Sequence, residues 1–192
     1  MKLIVGITGA SGVIYGIRLL EVLKEIDDIQ THLVISSAAT QTIHIETNKK
    51  SKEIHAFSDQ VHDINDLTAP IASGSYQTSG MIVIPCSMKS LSSIANSYND
   101  NLLVRAADVT LKEHRKLILV PRETPLHLGH LRLMVKAAEI GAIILPPIPT
   151  FYNHPHSIQD IINQTIARVL DLFDIEYPED LSPRWGEGKT QE

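Results

Sequence analysis

The chain is short of cysteine, of aromatic residues and of long apolar runs. Its one cysteine, Cys86, excludes an intramolecular disulfide and any cysteine-rich zinc or iron–sulfur framework, and it fits a reducing compartment, the cytoplasm. No stretch approaches the roughly 18 apolar residues of a membrane span. The apolar start reaches Gly6, Gly9 and Gly12 too soon for the core of a signal peptide. Internal repeats, low-complexity tracts and Pro/Ser-rich linkers are missing too, so the sequence reads as one domain over 1–192 with an irregular tail from about Tyr177. Phosphate-binding signatures are equally scarce. There is no Walker sequence, and Gly6-Xaa-Xaa-Gly9-Xaa-Xaa-Gly12 is not the dinucleotide fingerprint.

The balance of 43% hydrophobic and 20% charged residues is that of a globular protein able to bury its own core. The net charge of −5 argues against nucleic acid as a partner, yet the charge is unevenly spread. Between Asn101 and Lys136, seven basic residues (Arg105, Lys112, Arg115, Lys116, Arg122, Arg132, Lys136) stand against three acidic ones, a local +4 that leaves −9 for the remainder. A basic island in an acidic chain suits a small anionic ligand better than a polyanion.

Five short apolar runs, Leu3 to Thr8, His32 to Ser36, Met81 to Pro85, Leu117 to Pro121 and Ala142 to Pro146, read as parallel strands covered on both faces. A weaker strand is expected at Val61 to Ile64. Helical spacing fills Val13 to Ile26, Ala38 to Thr47, Leu128 to Ile140 and Ile158 to Phe173, and a further helix is expected around Arg105 to Lys112. Alternating elements of this kind predict a doubly wound α/β fold with a mainly parallel sheet, Rossmann-like or flavodoxin-like, whose ligands settle at the carboxyl ends of the strands.

The first strand runs through Thr8-Gly9-Ala10-Ser11-Gly12 into a helix. Small residues there let backbone amides approach a phosphate, with Ser11 as helix cap or hydroxyl donor. Ser36-Ser37 and Ser87-Met88-Lys89-Ser90 leave two other strands in the same manner, so hydroxyls from successive strand ends form a polar cradle. Cys86 has no evident base beside it and reads as a small buried residue. Arg105, Asp108 and Lys112 share a helix face, and Arg122-Glu123 follow a strand at its functional end. Guanidinium groups there, and Arg168 on the last helix, suit a terminal phosphate. His127-Leu128-Gly129-His130 has the spacing of a nucleotidyl-transferase motif but follows a late strand instead of the first, and His154-Pro155-His156 lacks a third ligand; no metal is expected.

Taken together, Thr8 to Gly12 with Tyr15-Gly16, Glu46-Thr47, Ser73-Gly74-Ser75, Pro85-Cys86-Ser87, Arg105-Ala106-Ala107-Asp108-Val109, Leu111-Lys112-Glu113, Val120-Pro121-Arg122-Glu123, Phe151-Tyr152 and Pro183-Arg184-Trp185 resemble the UbiX flavin prenyltransferases over nearly the whole chain. The resemblance implies transfer of the dimethylallyl group of dimethylallyl monophosphate to N5 and C6 of reduced FMN, without a metal. The product, prenylated FMN, would serve a UbiD-type decarboxylase in ubiquinone or aromatic-acid metabolism. By the same resemblance FMN lies on Gly9, Ala10, Ser11, Ser36, Ser87, Met88, Lys89, Ser90 and Arg122. The prenyl phosphate lies on Tyr152 and Arg168, assisted by Lys112, Arg122 and Arg105. Glu46, Ser11, Lys112 and Glu123 are the catalytic candidates, and the chain is expected to form a homo-oligomer, a dodecamer. The Asp-rich magnesium motif of prenyl chain synthases is absent, since Asp27-Asp28 is followed by Ile29, Gln30 and Thr31. The alternatives are a flavin-dependent aromatic-acid decarboxylase and a non-catalytic FMN-binding or delivery module. Peptidyl-cysteine decarboxylation is disfavoured, because Lys89 stands where those enzymes carry asparagine.

Overall fold

The computed structural model describes residues 1–178 and 181–183, so Trp185 and its neighbours lie outside the described residues. By its contacts the chain comprises two compact units, Met1–Pro146 and Pro147–Glu192.

The first unit is built on a six-stranded sheet. The elements are β1 (Lys2–Ile7), α1 (Val13–Lys24), β2 (Gln30–Ile35), α2 (Ser37–Thr47), α3 (Ser51–His55), β3 (Gln60–His62), β4 (Gly80–Cys86), α4 (Met88–Ala95), α5 (Leu102–Lys112), β5 (Lys116–Pro121), α6 (Leu128–Glu139) and β6 (Ile143–Ile144). The spatial order is β3-β2-β1-β4-β5-β6, and every pairing is parallel. That is the doubly wound order, with its switch point between β1 and β4. The expected strands are present; β3 is an edge strand of three residues, and the last is shorter than Ala142 to Pro146. Ser87 follows β4 and caps the eight-residue helix α4.

Both sheet faces are covered, which is why the strands read as unbroken apolar runs. Ile4, Val34, Met81, Val83, Leu117 and Leu119 join one buried cluster with Leu91 and Ile94 of α4 and Leu103, Val104 and Ala107 of α5. The alternate positions Leu3, Val5, Ile7, Ile82 and Ile84 are buried as well. Helix α1 lies so close on that face that a Cβ on Gly16 would stand 2.4 Å from the Ile84 carbonyl oxygen and 3.0 Å from Ile7 Cδ1.

The second unit contains α7 (Ile158–Leu172), opened by a capping box in which Ser157 accepts from the Asp160 amide and Asp160 from the Ser157 amide. Gln164 Oε1 accepts from both the amide and the hydroxyl of Thr150. Beyond α7 the described residues form no further helix or strand.

Candidate functional site

The switch point joins two strand ends through one buried hydroxyl. Thr8 Oγ1 donates to the Pro85 carbonyl at 2.7 Å and accepts from the Ser87 amide at 2.7 Å, so the exits of β1 and β4 are locked together. Gly9 follows, and a Cβ there would lie 2.5 Å from Ala38 Cβ; the first loop and the first turn of α2 therefore meet backbone to backbone.

The loop then enters α1 through Gly12, at φ 95°, a left-handed position that glycine adopts without strain. Gly12, not Ser11, is the cap residue, and it has no side chain to offer. The missing acceptor comes from α2: Glu46 Oε2 accepts from the amides of Gly12 at 2.9 Å and Val13 at 3.1 Å. This corrects two expectations. Ser11 is exposed and does not cap the helix, and the amides expected to face a phosphate already hold a carboxylate.

The anion-friendly space lies one strand further along. Ser36 caps α2 by accepting from Ala39 N at 3.1 Å, and Ser87 caps α4 by accepting from Ser90 N at 3.3 Å. Asn101 caps α5 by accepting from Val104 N at 3.1 Å. All three cap residues line a single cavity of about 470 Å³, together with Gly9, Lys89 and Ser90. Three helix N-termini and an ammonium thus surround a volume in the range of small-ligand sites, which is the electrostatic setting of a phosphate. Asp100 contributes the one opposing charge among the lining residues. Met88, the first residue of α4, is half-buried against the core cluster. Ala10 lies on the same first loop.

Arg122 leaves β5 on this edge, its amide donating to the Cys86 carbonyl at 3.3 Å. Burial pushes the Tyr15 phenol up, while the positive charge of Arg122 acts in the opposite direction, which sets the two side chains within electrostatic reach. Glu123 is exposed and accepts from the Thr124 amide at 3.0 Å. Arg105, early in α5, donates through Nε to the Ala72 carbonyl at 3.1 Å and pairs with Asp108 at 3.3 Å. Lys112 is elsewhere. It is the last residue of α5, paired with Glu113 beside Gly74, near where β5 begins. An 11-residue helix is about 16 Å long. Within one chain Lys112 therefore stands at the amino edge of the sheet, a helix length from the cavity.

Tyr152 and Arg168 belong to the second unit. Tyr152 is half exposed, and Arg168 is exposed with Asp171 at 4.0 Å. Cys86 is fully buried, and burial pushes its thiol up to about 12, which suits packing and not nucleophilic attack. His127 caps α6 by accepting from the Gly129 amide at 3.0 Å and stacks against His130. No group of three His, Cys, Asp or Glu side chains that could hold a metal occurs among the described residues.

Sequence reasoning missed Ile64, Asn65 and Asn101 of the cavity. Asn101 carried a readable signal, an asparagine directly before an apolar helix. The other two did not: they follow the edge strand β3 and are held in place because Ile64 O accepts from the Leu102 amide, 38 residues on, at 2.8 Å.

A family model described as Flavoprotein matches residues 1–170. The chain is 61% identical over 184 residues to the flavin prenyltransferase UbiX of Escherichia coli (strain K12), covering 96% of this chain and 97% of that relative. With the UbiX of Thauera aromatica it shares 54% identity over 192 residues, 100% of this chain and 97% of the relative. Among solved structures it is similar to AnUbiX (PadA1) in complex with FMN and dimethylallyl pyrophosphate (TM-score 0.93, 45% identity, 98% of each chain). It is also similar to a dodecameric FMN-dependent UbiX-like decarboxylase from Escherichia coli O157:H7 (TM-score 0.92, 50% identity, 96% of this chain and 98% of the other).

Proposed function

The chain belongs to the UbiX family of flavin prenyltransferases, and from that premise we propose that it transfers the dimethylallyl group of dimethylallyl monophosphate to reduced FMN. The observation that carries the assignment of the site is the convergence of the Ser36, Ser87 and Asn101 helix starts with Lys89 on one cavity at the β1/β4 switch point. These residues fit a flavin mononucleotide, because its phosphate needs several oriented donors and little else. When bound, reduced FMN supplies electron-rich N5 and C6 positions as acceptors for the allyl group.

The chain's own residues bind and stabilise charge. Gly9, Ala10 and Ser11 supply a loop with little side-chain bulk for the flavin to approach, and Ser36, Ser87, Met88, Lys89 and Ser90 hold its phosphate end. Arg122 extends the positive field along the same edge. Glu46, anchored on the first turn of α1, is held at a defined point where a proton can be taken up, with Glu123 as a second carboxylate. Tyr152 and Arg168 receive the prenyl phosphate. Preorganised donors aimed at the developing phosphate charge are each worth roughly 3 to 4 kcal/mol, enough for several to do the work of a divalent cation. Lys112 can act only on a site completed by another copy, which fits a homo-oligomer, a dodecamer like the relative described above. A UbiD-type decarboxylase is the recipient of the product, in the cytoplasm.

Mixing the pure protein anaerobically with reduced FMN and dimethylallyl monophosphate tests this reading. A flavin mass raised by one C5 unit supports it. Unchanged flavin with CO₂ released from an aromatic acid would assign a decarboxylase, and flavin binding without either would assign a delivery module.

A further inference from the structure

The far end of α5 carries an ion pair that the fold does not call for. Lys112 is the last helical residue and Glu113 the cap residue after it, and their side chains meet. Neighbours in sequence point apart along a helix, so the pair forms because the helix stops here. The stop is a Schellman turn. His114, at φ 54°, donates its amide to the Leu111 carbonyl at 2.9 Å, and the Arg115 amide donates to the Thr110 carbonyl at 2.9 Å. Glu113 therefore places a carboxylate at the negative end of the helix dipole, which is the unfavourable end. The two side chains are 47% and 34% exposed, and ion pairs in that position add little to stability. Folding gives no reason for Glu113. The pair rests on Gly74, where a Cβ would stand 2.6 Å from Lys112 Nζ and 2.7 Å from Glu113 Cδ. That seat is itself held: Arg115 donates to the carbonyls of Gly74 at 2.7 Å and Tyr76 at 2.9 Å, and Arg105 to that of Ala72 at 3.1 Å.

We propose that Glu113 and Gly74 are positioning residues, which hold the Lys112 ammonium in one orientation for the phosphate of the prenyl substrate. The inference rests on the reading above, in which Lys112 serves prenyl transfer. A lysine side chain is a flexible stem whose rotamers must be ordered before its charge is useful. Pinning it beforehand removes that cost from substrate binding. An ammonium has three N–H donors, so the bond to Glu113 leaves two for phosphate oxygens. Nor does the carboxylate cancel the local field, because Lys112, Arg115 and Lys116 stand against it. The hydrogen bond and charge of Lys112, with Arg115 and His114 acting in the same direction, hold the Glu113 carboxyl below its ordinary value, so it stays ionised. Gly74 has a matching part. Any larger residue would lift both side chains off the loop, and because their ends are flexible they would move while the fold stayed intact.

The test compares wild type with Glu113→Ala, Glu113→Gln and Gly74→Ala in anaerobic assays with reduced FMN and dimethylallyl monophosphate. Glu113→Ala and Gly74→Ala are each expected to raise KM for dimethylallyl monophosphate about tenfold, with FMN affinity and melting temperature unchanged. Glu113→Gln, which can still accept a hydrogen bond from the ammonium, should lose less. Combining Gly74→Ala with Glu113→Ala should cost no more than Glu113→Ala alone, since both act through Lys112. Reductive methylation of Lys112, followed by peptide mass, reports on the pinning without any turnover and should be faster in all three single variants. A lowered KM for Glu113→Ala would mean that the carboxylate competes with the phosphate, and it would overturn the proposal. So would FMN affinity or melting temperature falling in step with activity, or methylation of Lys112 at the wild-type rate in Glu113→Ala. Absence of prenylated FMN from the wild type would instead refute the assigned reaction, while the methylation comparison would still decide whether Glu113 and Gly74 hold Lys112.

Discussion

Glu46 accepts the Gly12 amide at 2.9 Å, so the carboxylate proposed as the proton acceptor of prenyl transfer is also the N-terminal cap of the helix that follows the first strand. One side chain thereby has a structural and a chemical duty, and substitutions should separate them. Glu46→Gln keeps an oxygen for the Gly12 and Val13 amides but loses the base. It is expected to melt near the wild-type temperature, to bind FMN, and to form prenylated FMN about 10²-fold or more slowly in an anaerobic single-turnover assay. Glu46→Ala should lose the cap as well, and with it about 0.5–2 kcal/mol of stability in urea. Full turnover by Glu46→Gln would leave Glu46 as a cap only.

The contact between Gly9 and Ala38 should be equally exposed to substitution. A methyl group on Gly9 would meet the Ala38 Cβ at 2.5 Å and its carbonyl carbon at 3.1 Å, and backbone cannot swing aside as a flexible side chain can. Gly9→Ala is expected to push the first turn of α2 and Ser36 outward, destabilising the protein by about 1–3 kcal/mol. FMN binding should weaken about tenfold, which corresponds to about 1.4 kcal/mol. Adding Ala38→Gly removes the nearest of the clashing atoms and should recover part of both losses. Equal flavin affinity for Gly9→Ala and wild type, by titration, would remove this loop from the binding surface.

The strands were legible in the sequence because a parallel sheet covered on both faces must be apolar at consecutive positions, as Leu3 to Ile7 and Met81 to Ile84 are. The edge strand β3 was faint for the converse reason: Val61 is 42% exposed, so less burial constrains its composition. Ser36 and Ser87 were readable as helix starts at strand ends. The cap of α1 was not, since its acceptor sits 34 residues further along, and capping rules see only local sequence. The shared helix face of Arg105 and Lys112 was also read correctly, but a common face does not mean a common end. Lys112 lies two turns further along the axis and pairs with Glu113, away from the cavity.

That separation yields a prediction about assembly. If Lys112 serves prenyl transfer, it does so for the cavity of another copy, and two defective chains should then complement each other. Lys112→Ala and Glu46→Gln, each weakly active alone, are expected to recover about a quarter of wild-type activity when co-assembled in equal amounts, the fraction of sites that draw both intact residues from different copies. Co-assembled protein with no more activity than the mean of its parents would show that the two residues do not share a site.

The final prediction concerns acid. His32 is fully buried in β2, with its Nδ1 3.0 Å from His62 Nε2 on β3 and its Nε2 3.2 Å from the Tyr76 hydroxyl. Burial holds the His32 imidazole down to about 4; the neighbouring His62 and Lys2 act in the same direction, and Asp59 opposes them. Burial lowers His62 too, with Asp66 opposing. A histidine whose folded value lies below its unfolded value near 6.5 binds its proton more readily in the unfolded chain. Its contribution is therefore complete above about pH 6.5, and it is lost as pH falls from there to about 4, where the folded protein takes up the proton as well. At about 1.4 kcal/mol for each pH unit, the loss amounts to at most about 3.5 kcal/mol. Urea unfolding of the wild type should thus weaken steeply between pH 6.5 and 4. His32→Asn, which keeps a polar group facing His62 but cannot titrate, should be less stable at pH 7 and much flatter across the same window. It is the slope and not the level that decides: equal slopes for the two proteins would place the acid sensitivity elsewhere. Because only Asp63 separates His62 from Ile64 and Asn65 in the wall of the proposed flavin cavity, loss of the pair should also release FMN over the same pH range, before the sheet itself unfolds.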